Sequence, residues 1–401
     1  MKFAGIIAEY DPFHNGHAWQ LAQAKALGAQ RVAVAMSCGL TQRGALPLLP
    51  ESVRVRAALE CGADLVFALP APWACAGAEA FARAGVRLLA AAGCDALVFG
   101  AETPDAALLL ETARVLNSEA YRAALKARLA AGARSFAAAR QAAVQVVGAD
   151  PAMAELLSQP NNNLAVEYCR AILEQGAEMT PVPLPRMGAG HGQALEESSH
   201  ARFASASALR ALWAEGGADA VAPFVPEKAL TLYKMAELDG MYTDFAAAGR
   251  CELALLRAAC AKPEPFAAVR GVSEGLEHRL EHAVRQSTSL PQLLDALTTV
   301  RYPRARMRRL AMDAALGYTA DTVPALPPAL HLLGARKDAL PLLGQVSLPV
   351  SHSLAKLAQT GPDGARMAAA QAAASDFGAL CRANPAPMGG IYRQKNIFLT
   401  N

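Results

Sequence analysis

The chain has 401 residues, of which 53% are hydrophobic, 18% charged and 6% aromatic. This composition provides enough apolar surface for one large or two medium hydrophobic cores, and it excludes an intrinsically disordered protein. Lys and Arg number 38 against 35 Asp and Glu, which gives a net charge of +3. A uniformly basic nucleic-acid-binding chain is therefore excluded, whereas a local basic surface is compatible with the balance.

No segment approaches the roughly 20 consecutive apolar residues that a membrane span requires. The N-terminus has no long apolar stretch followed by a small-residue cleavage site, so we expect a cytoplasmic protein. Its eight cysteines form neither a CxxC pair nor a zinc-finger spacing with histidine. We expect most of them to be buried thiols in a reducing compartment.

The first hundred residues alternate short apolar runs with helical segments, which is typical of βαβ units on a parallel sheet. Because the carboxyl ends of parallel strands meet at one edge, the loops that follow them should form the active site. The predicted strands cover residues 3–9, 31–36, 65–69 and 96–99, and the predicted helices cover residues 17–27, 52–61 and 76–92.

The rest of the chain is predicted to be mostly helical. Residues 105–149 are expected to form helix, and the Pro-Asn-Asn-Asn segment at 160–163 interrupts it before a helix that extends to residue 173. Residues 180–185 look strand-like, and everything beyond Pro226 is predicted to be helix. We therefore expect two domains: residues 1–220 form an α/β domain with a Rossmann-like parallel sheet, and residues 221–401 form an α-helical domain.

The most informative motif is Phe13-His14-Asn15-Gly16-His17, which follows the first strand and opens the first helix. Free N–H groups and the dipole at a helix N-terminus attract phosphate, and Gly16 allows a nucleotide to approach the backbone. Two imidazoles at this position could stabilise charge on an α-phosphate and on leaving pyrophosphate by positioning and electrostatics. His14 and His17 are thus the candidate catalytic residues. Metal ligation, which lacks a nearby third ligand, and a purely structural role are the alternatives.

Residues 5–17 (GIIAEYDPFHNGH) resemble the opening of the tRNA(Met) cytidine acetate ligase family, a branch of the HxGH nucleotidyltransferase superfamily. The resemblance spans nearly the whole chain. Further matching segments follow in order within residues 36–44, 62–70, 160–162, 205–210, 273–279 and 301–309.

The resemblance implies a fold, a two-step reaction and a set of binding residues. ATP and acetate would give acetyl-adenylate and pyrophosphate, and the wobble cytidine of elongator tRNA(Met) would then become N4-acetylcytidine. Mg²⁺ is expected with ATP, and no metal-ligating residue is predicted, since no carboxylate cluster stands out in the sequence. The ATP-binding positions carried over are Ile7, Ala8, Glu9, Tyr10, Asp11, Pro12, Phe13, His14, Asn15, Gly16, His17, Gly100, Asn161 or Asn162, and Arg186.

Three other residues, Ser205, Ser207 and Arg210, resemble the superfamily's second phosphate-binding motif. Several of these assignments have alternatives. The asparagines could cap the helix that follows them, a serine could be an ordinary N-cap, and Arg186 could form a surface ion pair. Arg43, in the loop after the second strand, could bind either phosphate or tRNA.

A basic segment in the C-terminal half suggests an RNA surface. Five arginines lie within residues 301–309, and Tyr302 could stack on a base. Helical spacing predicts Arg301, Arg304 and Arg308 on one side, where they could bind tRNA phosphates. The alternative is a helix whose arginines pair with acidic residues such as Glu277 or Glu281.

The chain departs from the family pattern at three places, one of which is Asp11 in place of the commoner Asn. Cys38-Gly39-Leu40 stands where relatives usually have Gly-Asn-Phe, and Pro50-Glu51 replaces an Asp-Lys pair. The leading interpretation is an ATP-dependent tRNA acetate ligase. The alternatives are a nucleotidyltransferase that acts on a small phosphorylated metabolite, and a nucleotide- or tRNA-binding homologue with impaired catalysis.

Overall fold

The computed structural model describes residues 1–133, 135–148, 150–186, 197–198, 201–394 and 397–400. The strands are β1 (Phe3–Ala8), β2 (Arg31–Ser37), β3 (Leu65–Leu69), β4 (Ala96–Ala101), β5 (Thr180–Pro185), β6 (Glu197–Ser198), β7 (Ala201–Arg202), β8 (Leu330–Arg336), β9 (Val350–Ser351) and β10 (Ile397–Leu399).

The helices of the first half are α1 (Asn15–Ala26), α2 (Glu51–Glu60), α3 (Ala71–Ala74), α4 (Ala78–Ala91), α5 (Ala106–Asn117), α6 (Glu119–Ala130), α7 (Phe136–Val147), α8 (Ala152–Leu156), α9 (Pro160–Gln175) and α10 (Ala206–Val221). Those of the second half are α11 (Glu227–Leu238), α12 (Phe245–Ala259), α13 (Leu276–Gln286), α14 (Leu290–Leu297), α15 (Arg304–Leu316), α16 (Leu354–Leu357), α17 (Pro362–Leu380) and α18 (Gly390–Arg393). Two 3₁₀ segments cover Ala222–Phe224 and Lys337–Gln345.

The central sheet has the strand order β10-β8-β3-β2-β1-β4-β5, and β9 pairs with β8. Strands β3, β2, β1, β4 and β5 run parallel to one another, which confirms the predicted parallel sheet. Strand β8 is antiparallel to β3, and β10 is parallel to β8. The carboxyl ends of β1, β2, β4 and β5 therefore lie along one edge of the sheet.

The sheet is buried on both faces, as the nearly uninterrupted apolar strands predict. Alternate residues of β1 and β2 point to opposite sides. One set packs with α4, α5 and α9, and the other packs with α1, α2, α10 and α11. Helix α4 crosses β1 so closely that a Cβ on Gly85 would lie 2.5 Å from Ile7 Cδ1.

A third core lies within α12–α15 and consists mainly of leucines. The prediction of helix alone beyond Pro226 is wrong, because β8 and β10 extend the central sheet. The division between residues 220 and 221 stays a prediction. The Pro-Asn-Asn-Asn segment at 160–163 forms the first turn of α9 instead of interrupting a helix, since proline is well suited to an N-terminal turn.

Arg54 of α2 is a fully buried arginine, with 1% of its surface exposed. Its Nη1 donates to the carbonyl oxygens of Glu9 (2.7 Å) and Ser37 (2.8 Å), and its Nε donates to that of Leu49 (3.0 Å). One guanidinium thus satisfies backbone acceptors just beyond β1, at the end of β2 and before α2. These groups would otherwise be buried acceptors without donors.

We predict that Arg54→Met destabilises the fold by roughly 3 kcal/mol or more, because three buried carbonyl groups lose their donor. The measurement is chemical denaturation. Arg56→Ala, in the same helix, is the matched control: Arg56 is half exposed and forms an i,i+4 ion pair with Glu60. Its loss should cost less than about 0.5 kcal/mol. Equal midpoints for the two variants would contradict the role of Arg54.

Candidate active site

A cleft of about 630 Å³ opens at the carboxyl edge of the sheet. The ends of β1, β4 and β5 and the first turns of α1, α9 and α10 form one part of its wall, and residues 41–46, Phe245 and Arg308 form another. This is the edge at which parallel α/β sheets bind ligands. The cleft thus lies at the location that the sequence predicts for the site.

The two histidines of the motif lie together at the start of α1. His14 is the N-cap, and its Nδ1 accepts the Gly16 N–H at 3.1 Å. His17 Nδ1 accepts the His14 N–H at 3.2 Å, which completes a reciprocal capping box. The rings are stacked with centroids 3.7 Å apart. A Cβ on Gly16 would lie 2.9 Å from His14 Cε1, so glycine is required for this arrangement.

The capping bonds define the protonation state of both rings. A neutral imidazole carries one proton, so an Nδ1 that accepts a backbone N–H leaves the proton on Nε2. Burial, with the positive charge of Arg186 as a second cause, lowers the pKa of His14 to about 3. Burial, His14 and Arg186 lower the pKa of His17 well below its ordinary value. Both rings are therefore neutral Nε2–H donors at neutral pH.

Asp11 fastens the loop between β1 and α1. Its Oδ1 accepts the Leu48 N–H at 2.6 Å, and its Oδ2 forms an ion pair with Arg210 at 3.0 Å. Arg210 also donates to the Asp11 carbonyl oxygen at 2.7 Å. The preceding residue, Tyr10, has a φ of 52°, an uncommon conformation for a residue with a side chain. The loop conformation thus depends on contacts with two distant segments.

Not all residues of the 7–17 segment reach the cleft. Those that line it are Ile7, Ala8, Glu9, Tyr10, Asp11, His14, Gly16 and His17. Pro12 and Phe13 are buried, and the Phe13 carbonyl oxygen accepts the Tyr233 hydroxyl at 2.7 Å. Asn15 Nδ2 donates to the Pro223 carbonyl oxygen at 3.4 Å. These last three residues support the loop from outside the cleft.

The two asparagines at the start of α9 have different environments. Asn162 is fully buried, where its Oδ1 accepts the Thr103 N–H at 2.9 Å and its Nδ2 donates to Thr103 Oγ1. Asn161 lines the cleft and donates through Nδ2 to Glu102 Oε1 at 2.5 Å. Only Asn161 of the two is placed where it could touch a ligand.

Gly100 and Arg186 lie side by side at the ends of β4 and β5. The stem of Arg186 passes over Gly100, since a Cβ there would lie 3.4 Å from Arg186 Cγ. Arg186 is exposed at the cleft, and its charge contributes to the lowered pKa of both histidines. The structure therefore brings together the guanidinium and the imidazole pair that the sequence places 170 residues apart.

The start of α10 forms a further part of the wall. Ser205 is its N-cap, with Oγ accepting the Ala208 N–H at 3.3 Å, and its hydroxyl lies 3.0 Å from that of Ser207. Both serines and Arg210 line the cleft. The alternative interpretation of Ser205 as an N-cap is correct, and a capped helix start remains an anion-binding position.

The basic segment differs from the prediction. Arg301 precedes α15 and pairs with Glu274 at 2.5 Å, whereas Arg304 begins the helix and pairs with Asp295. Arg308 lines the cleft and is 15% exposed, bound to the buried Glu252 at 2.5 Å. The three arginines thus do not form one exposed face, because α15 begins after Arg301 and turns Arg308 inward. The alternative interpretation, in which these arginines pair with acidic residues, is correct. The partners are Glu274, Asp295 and Glu252 instead of Glu277 or Glu281.

The loop after β2 carries Arg43, which is exposed and lines the cleft. The neighbouring Gln42 N–H donates to Glu9 Oε1 at 2.6 Å, and burial raises the pKa of Glu9. Phe245, the first residue of α12, lines the same wall, and sequence analysis missed it. Only Asp244, a typical helix-capping residue before it, marks this position in the sequence.

Two of the departures from the family pattern, Cys38 and Glu51, contact each other. The Cys38 thiol donates to Glu51 Oε2, and both residues are buried. Burial is the main cause of the raised pKa of each group. A thiol with a raised pKa is a poor nucleophile, so this pair is structural.

Within the described ranges, no group of three or more His, Cys, Asp and Glu could hold a metal ion. In that same part of the chain, no helix has the length and apolar character needed to cross a membrane.

Comparison with known proteins gives a consistent result. The model of the HIGH Nucleotidyl Transferase family matches residues 1–388. The chain is 34% identical over 369 residues to the tRNA(Met) cytidine acetate ligase of Syntrophotalea carbinolica, with 89% of this chain and 86% of the relative covered. It is 30% identical over 364 residues to the Listeria monocytogenes protein of that name, with 89% and 90% covered.

Two solved structures of Thermotoga maritima TmcAL match over 100% of both chains at 26% identity. The TM-score is 0.90 for the apo form and 0.89 for the form bound with alpha-thio ATP. The whole fold is therefore shared with a structure that binds an ATP analogue.

We predict that the His14→Asn variant has a shallower pH dependence of stability than the parent chain. In the unfolded chain His14 takes up a proton near pH 6.5, whereas the folded ring resists it down to a pKa of about 3. The free energy of unfolding is thus unaffected by this ring above pH 6.5. Below pH 6.5 the ring lowers it by about 1.4 kcal/mol per pH unit. Asparagine retains a capping acceptor and does not titrate. Urea denaturation between pH 6 and 4 measures the slope of the free energy of unfolding against pH for both chains. Equal slopes would contradict the prediction, because they would show that the His14 ring accepts a proton in the folded state.

Proposed function

The chain belongs to the tRNA(Met) cytidine acetate ligase family of HIGH nucleotidyl transferases, and we propose that it catalyses the reaction for which these relatives are named. An acetate oxygen attacks the α-phosphorus of ATP, and pyrophosphate leaves. The exocyclic amine of the wobble cytidine of elongator tRNA(Met) then attacks the acetyl carbon, AMP leaves, and the amine loses a proton. The product is N4-acetylcytidine.

The observation that carries this proposal is the pair of neutral imidazoles at the N-terminus of α1. Their Nε2–H groups can donate hydrogen bonds to oxygens of the α-phosphate and of the leaving pyrophosphate as negative charge increases there. With a pKa of about 3, His14 does not act as a proton-releasing acid at neutral pH. We infer that His14 and His17 are catalytic through position and electrostatics, since the capping bonds hold both rings before substrate binds.

The remaining cleft residues support a binding mode for ATP, with Mg²⁺ arriving on the nucleotide as part of the substrate. Ser205 and Ser207 at the start of α10 and Arg186 would contact phosphate oxygens. Gly100 has no side chain, so the ribose or the base could contact its backbone. Asn161 would form hydrogen bonds with polar atoms of the ribose or the base. Asn162, Pro12, Phe13 and Asn15 would act by holding the loops in place. Arg210 would hold Asp11 in place through their ion pair and would also contact phosphate oxygens.

We further propose that residues 221–401 hold the tRNA, with residues 1–220 carrying the ATP chemistry. Arg301 and Arg304 are exposed over half or more of their side chains, and a phosphate could displace their surface carboxylate partners at low cost. Arg43 at the cleft could meet a phosphate near the target nucleotide. A tRNA substrate also implies a cytoplasmic location.

The decisive experiment incubates the protein with radiolabelled acetate, MgATP and tRNA, followed by digestion of the tRNA. Label in N4-acetylcytidine is expected. His14→Ala and His17→Ala should each reduce acetate-dependent pyrophosphate exchange by about a hundredfold or more, because an electrostatic donor to the transition state is lost. His278→Ala, which removes an exposed histidine of α13 outside the cleft, is the control.

ATP binding without label would indicate an impaired homologue, whereas nucleotidyl transfer to a phosphorylated metabolite without RNA would indicate the small-molecule alternative. Undiminished exchange in both histidine variants would disprove their catalytic role.

We predict that Arg301→Gln with Arg304→Gln raises KM for tRNA several-fold and leaves KM for ATP unchanged. Two phosphate contacts fewer should also reduce the slope of log KM against log salt by about 1 to 2. Steady-state acetylation at several salt concentrations measures both effects. Arg56→Gln, an exposed arginine on α2, is the control for charge alone. A matching rise in KM for ATP would place these arginines in the nucleotide site instead.

A further inference from the structure

Phe245 is an exposed aromatic side chain on the cleft wall. It is 45% exposed, whereas the cleft-lining Trp19 is half-buried and the cleft-lining rings of Tyr10, Phe81, Phe99 and Tyr168 are 4% exposed or less. An apolar ring left open to water on the cleft wall gains stability only when a ligand covers it. Its flat surface makes it suitable for stacking on a planar group.

The backbone around Phe245 is held firmly. Asp244 caps α12 by accepting the N–H groups of Ala246 (2.9 Å) and Ala247 (3.0 Å). Thr243 donates its N–H to the Leu48 carbonyl oxygen at 2.8 Å and its hydroxyl to that of Pro47 at 2.6 Å. Phe245 is thus positioned by the same loop whose Leu48 N–H binds Asp11, and a ring held this way loses little entropy on binding.

Two arginines of α15, each paired with a carboxylate, lie at the protein surface and at the cleft wall that also carries this ring. Arg304 and Arg308 are four residues apart on α15, so they lie on the same side of the helix one turn apart. Arg304 is exposed, and Arg308 lines the cleft. Glu252, which binds Arg308 at 2.5 Å, lies on α12 seven residues after Phe245, which is two turns along one face. Cations that follow a nucleic-acid backbone, together with an aromatic platform, are typical of single-stranded nucleotide binding.

The base that stacks there must be the acceptor. The residues suited to ATP lie on β1, α1, β4, α9, β5 and α10, whereas Phe245 and Arg308 come from α12 and α15. In the second step the adenylate must stay bound while the acceptor amine reaches its acyl carbon. An acceptor base therefore enters along a wall that the nucleotide leaves open.

We propose that Phe245 stacks on the target cytosine of an unpaired tRNA loop and that Arg308 contacts its backbone. The inference rests on the proposed function and adds to it a residue that positions the acceptor base. An aromatic platform suits an anticodon nucleotide, because unpaired bases can turn out of the stack and bind protein rings.

The test separates the two half-reactions in Phe245→Leu and Phe245→Trp. Acetate-dependent pyrophosphate exchange without tRNA should stay within twofold of the parent chain for both variants. For acetyl transfer to tRNA, kcat/KM should fall about tenfold in Phe245→Leu, which is the expected effect of losing one base–aromatic stack. Phe245→Trp should retain most of the activity.

Phe136→Leu is the matched control, because Phe136 is also the first residue of a helix capped by its predecessor and is 58% exposed. It should change neither half-reaction. A rise in KM for ATP in Phe245→Leu would show that the ring binds adenine and would overturn the inference. Transfer equal to that of the parent chain would also overturn it. Absence of label with the parent chain would disprove the proposed function and this inference with it.

Discussion

The site depends first on the buried guanidinium of Arg54. Parallel strands end with carbonyl groups that the sheet does not satisfy, and two such groups lie at Glu9 and Ser37. Arg54 donates to both and to Leu49, so it holds the loops after β1 and β2 and the entry to α2 in one arrangement. Without this donor, closing the carboxyl edge of the sheet against a protein wall would bury unpaired acceptors, which costs free energy.

The loop after β2 forms hydrogen bonds with residues of both halves of the chain. Its Leu48 N–H binds Asp11, and its Gln42 N–H binds Glu9. On the other side, its Pro47 and Leu48 carbonyl groups accept from Thr243, and its Gln42 carbonyl accepts from Arg309 at 3.3 Å. One loop thus contacts the nucleotide motif and the helices that bear Phe245 and Arg308. The hydrogen bonds of this loop therefore link the α12–α15 region to the residues next to the histidines.

Local sequence patterns were sufficient to predict the parallel sheet and the position of the histidine motif. Alternating apolar runs and glycine caps determine short-range structure, and the rule about carboxyl ends then locates the cleft. Long-range pairing was not predictable: β8 is as apolar as a buried helix, and nothing local indicates that it lies beside β3. The same limit applies to Arg308, whose inward position depends on Glu252 of another helix, and to Phe245, because Asp244 marks the start of its helix but not its place at the cleft.

The contact between Cys38 and Glu51 bears on whether departure from the family pattern alters the chemistry. The carboxylate of Glu51 is buried beside Arg54, and the Cys38 thiol donates to it while Gln371 Nε2 lies 2.8 Å from the sulfur. The two unusual residues therefore satisfy each other instead of leaving a buried charge without partners, which would be far more costly. Their exchange leaves intact the groups that fix the histidines, because the capping box of α1 uses only backbone N–H groups and the two rings. A change of residues at these positions is thus compatible with an unchanged arrangement of the two histidines.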